Sequence, residues 1–266
     1  MKNFLRCVSL ALMLCLLSST ALAAKATPTP PPVEVTQSVQ QPPEEIRAVL
    51  DTAYAEWETL NGKTLKNVNK FTEWRGKGIG FGWCGGYITW CMLENGIPMK
   101  ELQEFEEEPV EGIYHVKEAS VGKLLRGYQM MNRSTNIPQP GFLLVYGCSY
   151  NKTIHVGLVY DVEELGDGKF RITTLEGNMS NRVKMYVRDY DMNAEVNTKN
   201  KKSTNLFLIP EEERPLPESD CVDYAIPSAK PSSSASGKYA YYVNCFLMPW
   251  IPQDMATTLN TPEVAE

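Results

Sequence analysis

The chain has 266 residues and a formal net charge of −6. It contains no basic run of the kind that a nucleic-acid-binding face needs, so we expect neither nucleic acid nor another polyanion as a partner. Its cysteines and two histidines lack the close pairs, two to four residues apart, that zinc sites use. We therefore predict no metal site and no cofactor.

The first 24 residues have the pattern of a secretory signal peptide. Lys2 and Arg6 supply positive charge, residues 8–17 are apolar, and Ala21-Leu22-Ala23 forms a small-residue cleavage site. The apolar run is shorter than the roughly 20 residues that a membrane-spanning helix needs. We predict a mature protein that is secreted or extracytoplasmic, with cell-wall association as one option, and that has no stable membrane span.

Composition divides the rest of the chain into three segments. Residues 25–43 are rich in proline and poor in large apolar side chains, which is typical of an extended linker. Residues 44–210 carry regular apolar patterns over a length that suits one core, so we predict a single domain there. Residues 211–266 begin with an acidic run and contain a serine-rich stretch, and we expect a peripheral C-terminal tail.

The predicted domain opens with a helix over residues 44–60. Its apolar positions are spaced three and four residues apart: Ile46, Val49, Leu50, Ala53 and Trp57. Asn61-Gly62 supplies a stop signal. One face of this helix should therefore lie in the core.

A glycine-rich run ends at Trp83-Cys84, where a second helix, predicted over residues 84–95, begins. Its apolar stripe consists of Cys84, Tyr87, Ile88 and Cys91. A thiol in the first turn of a helix lies beside unpaired N–H groups and the positive end of the helix dipole, which favour its thiolate. Cys84 is therefore the candidate nucleophile, whereas we interpret Cys91 as a small core residue beneath it.

Three strand-like runs follow, at residues 142–146, 154–161 and 170–178. Gly166-Asp167-Gly168 predicts a hairpin turn between the last two runs. A turn centred on Gly166 and Asp167 would set residue 155 opposite residue 178, with residue 176 on the diagonal. Because side chains alternate along a strand, any loop of even length leaves these three on one face.

His155, Glu176 and Asn178 are the side chains that this hairpin brings together. A carboxylate in a buried strand is costly without a partner, and His155 would supply one for Glu176. We expect His155 to act as a base oriented by Glu176. Asn178 is either an assisting polar group or a turn residue, as the adjacent Gly177 suggests. The other histidine, His115, is expected to have a surface or structural role.

Five cysteines remain once the predicted signal peptide is removed. If Cys84 keeps its thiol, the other four can form at most two disulfides in three complete pairings. A bond between Cys221 and Cys245, which flank the serine-rich stretch, is one expectation. A chain with all thiols reduced is the other.

With these residues placed, the chain resembles the CHAP amidohydrolase/peptidase family, within the papain-like group that includes the NlpC/P60 cell-wall peptidases. The resemblance runs from about residue 70 to residue 187. It rests on four ordered motifs: Gly82-Trp83-Cys84-Gly85-Gly86-Tyr87-Ile88-Thr89-Trp90-Cys91, Pro140-Gly141, His155-Val156-Gly157-Leu158-Val159 and Leu175-Glu176-Gly177-Asn178. It implies an α+β fold, compact and papain-like (NlpC/P60-like), in which N-terminal helices pack on an antiparallel β-sheet.

The resemblance also implies roles for site residues within a catalytic domain at residues 44–210. Cys84 would be the nucleophile, His155 the base, Glu176 the orienting group and Asn178 an assisting residue. We expect Trp83 and Gly85 to contact substrate, with Gly85-Gly86 leaving room for a substrate backbone where relatives often carry two alanines. The expected protein is a monomeric, secreted thiol amidohydrolase or peptidase that cleaves amide bonds in peptidoglycan through a thioester.

Two other functions remain open. The same fold could serve as a non-catalytic cell-wall-binding or host-interacting protein, or as a secreted cysteine protease or acyl transferase that acts on proteins. His155 follows Cys84 by 71 residues, whereas roughly 130 or more separate the pair in papain-like proteases. This spacing favours the compact cell-wall enzymes.

Overall fold

The computed structural model describes residues 39–102, 110–148, 152–200, 202–214, 222–224 and 241–253. The predicted signal peptide, most of the predicted linker and Cys221 lie outside these residues. Four α-helices occur in the described part of the chain: α1 (Glu44–Leu60), α2 (Lys70–Glu73), α3 (Cys84–Glu94) and α4 (Val121–Met130). None of the helices in the described ranges is long and apolar enough to cross a membrane.

Helix α1 has the predicted bounds and buries the predicted face. Its five apolar residues are all less than 5% exposed. The chain leaves α1 through Asn61, whose φ of 38° places it in the left-handed region and whose N–H donates to the Trp57 carbonyl. The periodicity of the sequence was therefore sufficient to locate this helix.

Helix α3 begins at Cys84, as predicted, but it is not amphipathic. Residues on every side of it are buried: Gly85, Gly86, Tyr87, Ile88, Thr89, Cys91 and Met92. It packs against α1, α2 and strand β5 (Lys152–Gly166), and more lightly against α4. Helix α3 is therefore the central helix of the domain, and it carries Cys84 at its N-terminus.

Besides β5, the described strands are β1 (Met99–Lys100), β2 (His115–Val116), β3 (Ser134–Thr135), β4 (Leu143–Cys148), β6 (Lys169–Glu176), β7 (Lys184–Asp191), β8 (Leu206–Phe207), β9 (Val222–Asp223) and β10 (Tyr241–Leu247). The main β-sheet places its strands in the order β3-β10-β4-β5-β6-β7-β8, and each neighbouring pair in this order runs antiparallel. Strand β9 pairs in parallel with β7, and β1 with β2. Helices on an antiparallel sheet confirm the α+β class.

Strand β10 corrects the expectation of a peripheral tail over residues 211–266. It lies between β3 and β4 and pairs with both. Its side chains Phe246 and Leu247 are completely buried. An apolar segment of this kind gains more by completing the sheet than by lying on its surface. Residues 241–247 therefore belong to the domain core.

In the β5–β6 hairpin, the predicted position of the turn was wrong, but the predicted register near His155 and Glu176 was correct. Gly166 pairs with Lys169, so the turn residues are Asp167 and Gly168, both with positive φ, one position later than predicted. Two register shifts along the hairpin then compensate for this offset. As a result, Leu158 pairs with Leu175, which is the predicted register at the end that carries residues 155 and 176.

Candidate active site

Cys84 is the first residue of α3 and is partly exposed. The two glycines that follow it allow the helix to approach neighbouring backbone. A Cβ on Gly85 would lie 2.4 Å from the Ala119 carbonyl oxygen, and one on Gly86 would lie 2.8 Å from the Phe71 carbonyl oxygen. Gly85 is buried, so the space that it leaves is filled by the protein's own chain. The expectation that Gly85 contacts substrate through its missing side chain is therefore wrong.

Trp83 is also placed differently from the expectation. Its side chain is completely buried, and its ring stacks on Phe71 with centroids 5.4 Å apart. The residue precedes α3, and its ring is directed into the packing between α2 and α3 rather than toward solvent. Trp83 therefore supports the helix that carries Cys84, and it does not offer a surface for substrate.

The Cys84 thiol is hydrogen-bonded to His155 and to the backbone N–H groups of Gly85 and Val156. Burial alone would raise the pKa of this thiol. The hydrogen bond and charge of His155, together with the two backbone donors, outweigh burial and lower the pKa below its ordinary value. The site therefore favours a thiolate at residue 84.

His155 lies on β5 and joins Cys84 to Glu176. Its Nε2 is 2.9 Å from Glu176 Oε2, which leaves Nδ1 for the thiol. Burial would lower the pKa of this imidazole, but the contacts with Cys84 and Glu176 raise it from 6.5 to about 9. An imidazolium beside a thiolate is thus the favoured state of the pair near neutral pH.

Glu176 ends β6 and is completely buried. Its Oε1 accepts hydrogen bonds from Tyr146 Oη at 2.5 Å, Thr174 Oγ1 at 2.7 Å and Arg188 Nη1 at 3.0 Å. Burial would raise the pKa of the carboxyl, but the charge of Arg188 and the contacts with His155 and Thr174 lower it well below its usual range. Glu176 is therefore an ionised carboxylate in the interior.

Sequence reasoning did not include Tyr146, Thr174 and Arg188 in the site. Tyr146 is the β4 partner of His155, and Arg188 on β7 pairs with Ile172, which shares a face with Thr174 and Glu176. No strand was predicted around Arg188, so nothing in the sequence analysis placed this arginine in the sheet. Its partner could not be named before the order of the strands was known.

Asn178 is a turn residue. Its φ of 63° lies in the left-handed region, which asparagine tolerates better than most residues. Its Nδ2 is 3.7 Å from the position that a Cβ on Gly82 would occupy, so the amide lies beside the segment that leads to Cys84. No hydrogen bond to His155 is formed by Asn178 in the described part of the chain, and the turn interpretation explains the residue.

The other histidine is structural, as expected. His115 is completely buried, with Nε2 2.9 Å from Thr89 Oγ1 and Nδ1 2.9 Å from Tyr128 Oη. Burial lowers its pKa to about 3, so the imidazole is neutral. Over the described ranges, no group of three His, Cys, Asp or Glu side chains is arranged to hold a metal ion.

Cys91 and Cys245 lie in environments that keep their thiols protonated. Burial raises the pKa of Cys91 well above its ordinary value and that of Cys245 to about 12. Cys245 has a free thiol among the described residues, and the expected bond to Cys221 involves a residue outside them. Cys84 differs from both because the charge and hydrogen bond of His155 lower its pKa.

The arrangement supports nucleophilic chemistry at a thiol. A thiolate with an adjacent imidazolium and a carboxylate behind it has the three parts needed to attack a carbonyl carbon and to move a proton. The Cys84 N–H, in the first turn of α3, lies beside the thiol, where an oxyanion would form.

Comparison with known proteins agrees with the motifs and with this geometry. Residues 75–178 match the family model described as the CHAP domain. The matched segment contains Cys84, His155, Glu176 and Asn178, whereas Arg188 and β10 lie beyond it. A search of curated proteins and a search of solved structures found no match. The match therefore confirms the resemblance to the CHAP family over residues 75–178.

Proposed function

We propose that this protein is a cysteine amidohydrolase or peptidase that cleaves amide bonds in peptidoglycan. CHAP domains are generally hydrolases with amidase or peptidase activity, and this family assignment supports the substrate class. The single observation that carries the proposal is the hydrogen-bonded series from the Cys84 thiol through His155 to the buried Glu176. A protein that only held a ligand would not require these three groups in series.

In the first half of the reaction, the Cys84 thiolate attacks the carbonyl carbon of the amide and forms a tetrahedral oxyanion. The Cys84 N–H, in the first turn of α3, is placed to donate to this oxygen. His155 Nδ1 then donates its proton to the leaving nitrogen. The C–N bond breaks, an amine departs, and the acyl group remains as a thioester on Cys84.

In the second half, His155 is neutral and acts as a base. It takes a proton from a water molecule, whose oxygen attacks the thioester carbonyl. Collapse of the second tetrahedral species breaks the C–S bond, releases a carboxylic acid and restores the thiolate and imidazolium. Throughout both halves Glu176 holds Nε2, which directs Nδ1 toward the sulfur and stabilises the imidazolium.

We further propose that the protein acts outside the cytoplasm as a monomer. The signal-peptide pattern of residues 1–24 supports export, and the proline-rich composition of residues 25–43 supports a linker ahead of the domain. In this proposal the catalytic domain consists of residues 44–210 together with β10, because the sheet requires that strand.

The proposal is tested by digestion of purified sacculi, with mass spectrometry of the released muropeptides. Cys84→Ala and His155→Ala should each abolish release of new amines, and Glu176→Gln should reduce it by a smaller factor. Cys245→Ala is the matched control, since it removes another partly exposed cysteine and should retain activity. The fragments that appear also identify which bond is cut.

Three results would count against the proposal. Full activity of Cys84→Ser would mean that the sulfur is not the nucleophile. Tight binding of sacculi without any new amine, together with slow Cys84 alkylation that has an ordinary thiol pH profile, would indicate the binding-only alternative. Cleavage of denatured proteins but not of sacculi would instead support the protease alternative.

A further inference from the structure

Arg188 is a completely buried cation behind the candidate active site. It lies on β7, outside the segment that matches the CHAP domain. Its Nη1 is 3.0 Å from Glu176 Oε1 and 2.5 Å from Tyr146 Oη, and both side chains of the Arg188–Glu176 ion pair are 0% exposed. The site is therefore backed by a second ion pair that solvent does not reach.

A buried ion pair needs an explanation beyond stability. Removing two charges from water costs about as much as their attraction returns, so apolar residues of similar size often stabilise a core equally well. Two tyrosine rings hold the guanidinium, with the Tyr186 centroid 4.1 Å and the Tyr146 centroid 5.6 Å from Arg188 Cζ. The charge is thus fixed in position, and its nearest carboxylate is the one that contacts His155.

The hydrogen bonds divide the two oxygens of Glu176 between separate tasks. Oε1 accepts from Tyr146, Thr174 and Arg188, whereas Oε2 is 2.9 Å from His155 Nε2. A half-turn of the carboxylate only exchanges two equivalent oxygens, but a partial rotation of its plane would break contacts at both oxygens. The present plane of the carboxylate serves all four partners at once.

The charges of the site also require Arg188. In the thiolate state, Cys84 and Glu176 are negative, and His155 and Arg188 are positive. Without Arg188, one imidazolium would face two anions, and a proton on Glu176 would become the simplest way to balance the interior. Glu176 would then lose the charge with which it stabilises the imidazolium.

We propose that Arg188 is a positioning residue for the thiol chemistry: it keeps Glu176 ionised and turned so that Oε2 faces His155 Nε2. This inference rests on the proposed function for its relevance to hydrolysis, but it concerns the thiolate–imidazolium pair, which is measurable without substrate. Arg188 acts through Glu176 and does not touch the reacting atoms.

The test compares Arg188 with Arg133, a second completely buried arginine. Arg133 donates to the backbone carbonyls of Pro249 at 3.2 Å and Gly112 at 2.7 Å, so its partners are structural. The variants are Arg188→Met, Arg188→Lys and Arg133→Met. The measurement is the rate of Cys84 alkylation by iodoacetamide from pH 4 to pH 10, with the melting temperature recorded for each variant.

For Arg188→Met, we expect the acid limb of the alkylation profile to move up by about 1 pH unit or more. Hydrolysis should lose about tenfold or more in kcat, with KM within twofold of the wild type. Arg188→Lys keeps the charge and should return the limb most of the way to the wild-type position. Arg133→Met should lower the melting temperature and leave the profile unchanged.

A double variant establishes that Arg188 works through Glu176. In a Glu176→Gln background, Arg188→Met should lose at least half of its effect on the acid limb, because the carboxylate is already absent. The inference is overturned if folded Arg188→Met has the wild-type profile, or if its full effect persists in that background. If Arg188→Met does not fold, the test uses Arg188→Lys. The inference is then overturned if folded Arg188→Lys and Glu176→Gln have the same acid limb in their alkylation profiles.

These results are separable from the proposed function. A shifted alkylation profile in a protein that digests no sacculi would retain the role of Arg188 and reject the substrate. If the wild type digests sacculi and Arg188→Met changes neither the alkylation profile nor kcat, the proposed enzyme is retained and the positioning role is rejected.

Discussion

The packing of Gly157 against Glu176 leads to a sharp prediction for Gly157→Ala. Gly157 lies next to Leu158, which pairs with Leu175 at the end of the hairpin. A Cβ on residue 157 would be 2.9 Å from Glu176 Cγ and 3.3 Å from its Cδ and Oε1. Because carbon atoms in contact prefer about 3.5–4.0 Å, the carboxylate side chain has to move by about 0.6 Å or more.

The magnitude follows from the contacts of Glu176. A displacement of about 0.6 Å would stretch the 2.9 Å contact with His155 to about 3.5 Å, which is the limit of a hydrogen bond. Hydrogen bonds to charged groups contribute about 1.5–3 kcal/mol, which corresponds to a rate loss of roughly 10- to 100-fold. Crowding of the core should also destabilise the fold by about 1–3 kcal/mol.

The assay is the rate of iodoacetamide alkylation of Cys84 at pH 6, where only a stabilised thiolate reacts quickly, together with urea unfolding. Gly122→Ala is the control, since its Cβ would meet only Thr153 Oγ1 at 3.9 Å. This substitution lies in α4 and should be neutral or stabilising by up to about 1 kcal/mol. A Gly157→Ala protein with the wild-type alkylation rate and stability would refute the proposed dependence of the thiolate on Glu176.

Three further predictions follow from the fold and the site. Gly85→Ala would place a Cβ 2.4 Å from the Ala119 carbonyl oxygen. Its urea unfolding midpoint should therefore fall by the equivalent of about 2 kcal/mol. An unchanged midpoint together with weakened binding of sacculi would indicate instead that Gly85 contacts substrate. The pKa of His155 is about 9 in the folded protein and 6.5 in the unfolded chain, so its contribution to stability is complete below about pH 6.5 and is lost as the pH rises through about 9. The pKa of Cys84 is lowered by folding, so its contribution to stability increases as the pH rises toward 9. The two trends should offset in the wild type, so Cys84→Ala should lose stability relative to the wild type between pH 6.5 and 9 in urea titrations, and parallel curves would contradict the ion pair. Truncation before Tyr241 removes the strand between β3 and β4 and should leave a chain that aggregates in size-exclusion chromatography, whereas a monomeric chain with a cooperative melt would show that β10 is dispensable.

Local patterns predicted the parts of this molecule that depend on neighbours in sequence. Helix α1 followed from spacing and a stop signal, and the shared face of His155 and Glu176 followed from the alternation of side chains. The register at these residues was predicted from a turn one position too early, and two register shifts in the hairpin cancelled the error. Parity was the more reliable argument because an offset of two residues preserves it.

Features that depend on distant contacts were not predictable in the same way. Nothing near Tyr241 in the sequence indicates that its strand lies between β3 and β4, since strand order is set by the whole core. The burial of Trp83 depends on Phe71 in α2, and that packing reversed the expected substrate role. Arg188 was missed because its relation to Glu176 exists only once β6 and β7 are paired.

The position of β10 has a consequence for folding during translation. Tyr146, one of the donors that fix Glu176, lies on β4, and the second edge of β4 is occupied by β10 alone. During translation, the ribosome must therefore polymerise residue 247 before that edge can close. Nascent chains that stop before residue 247 therefore leave the ribosome without the strand that completes the sheet beside Tyr146.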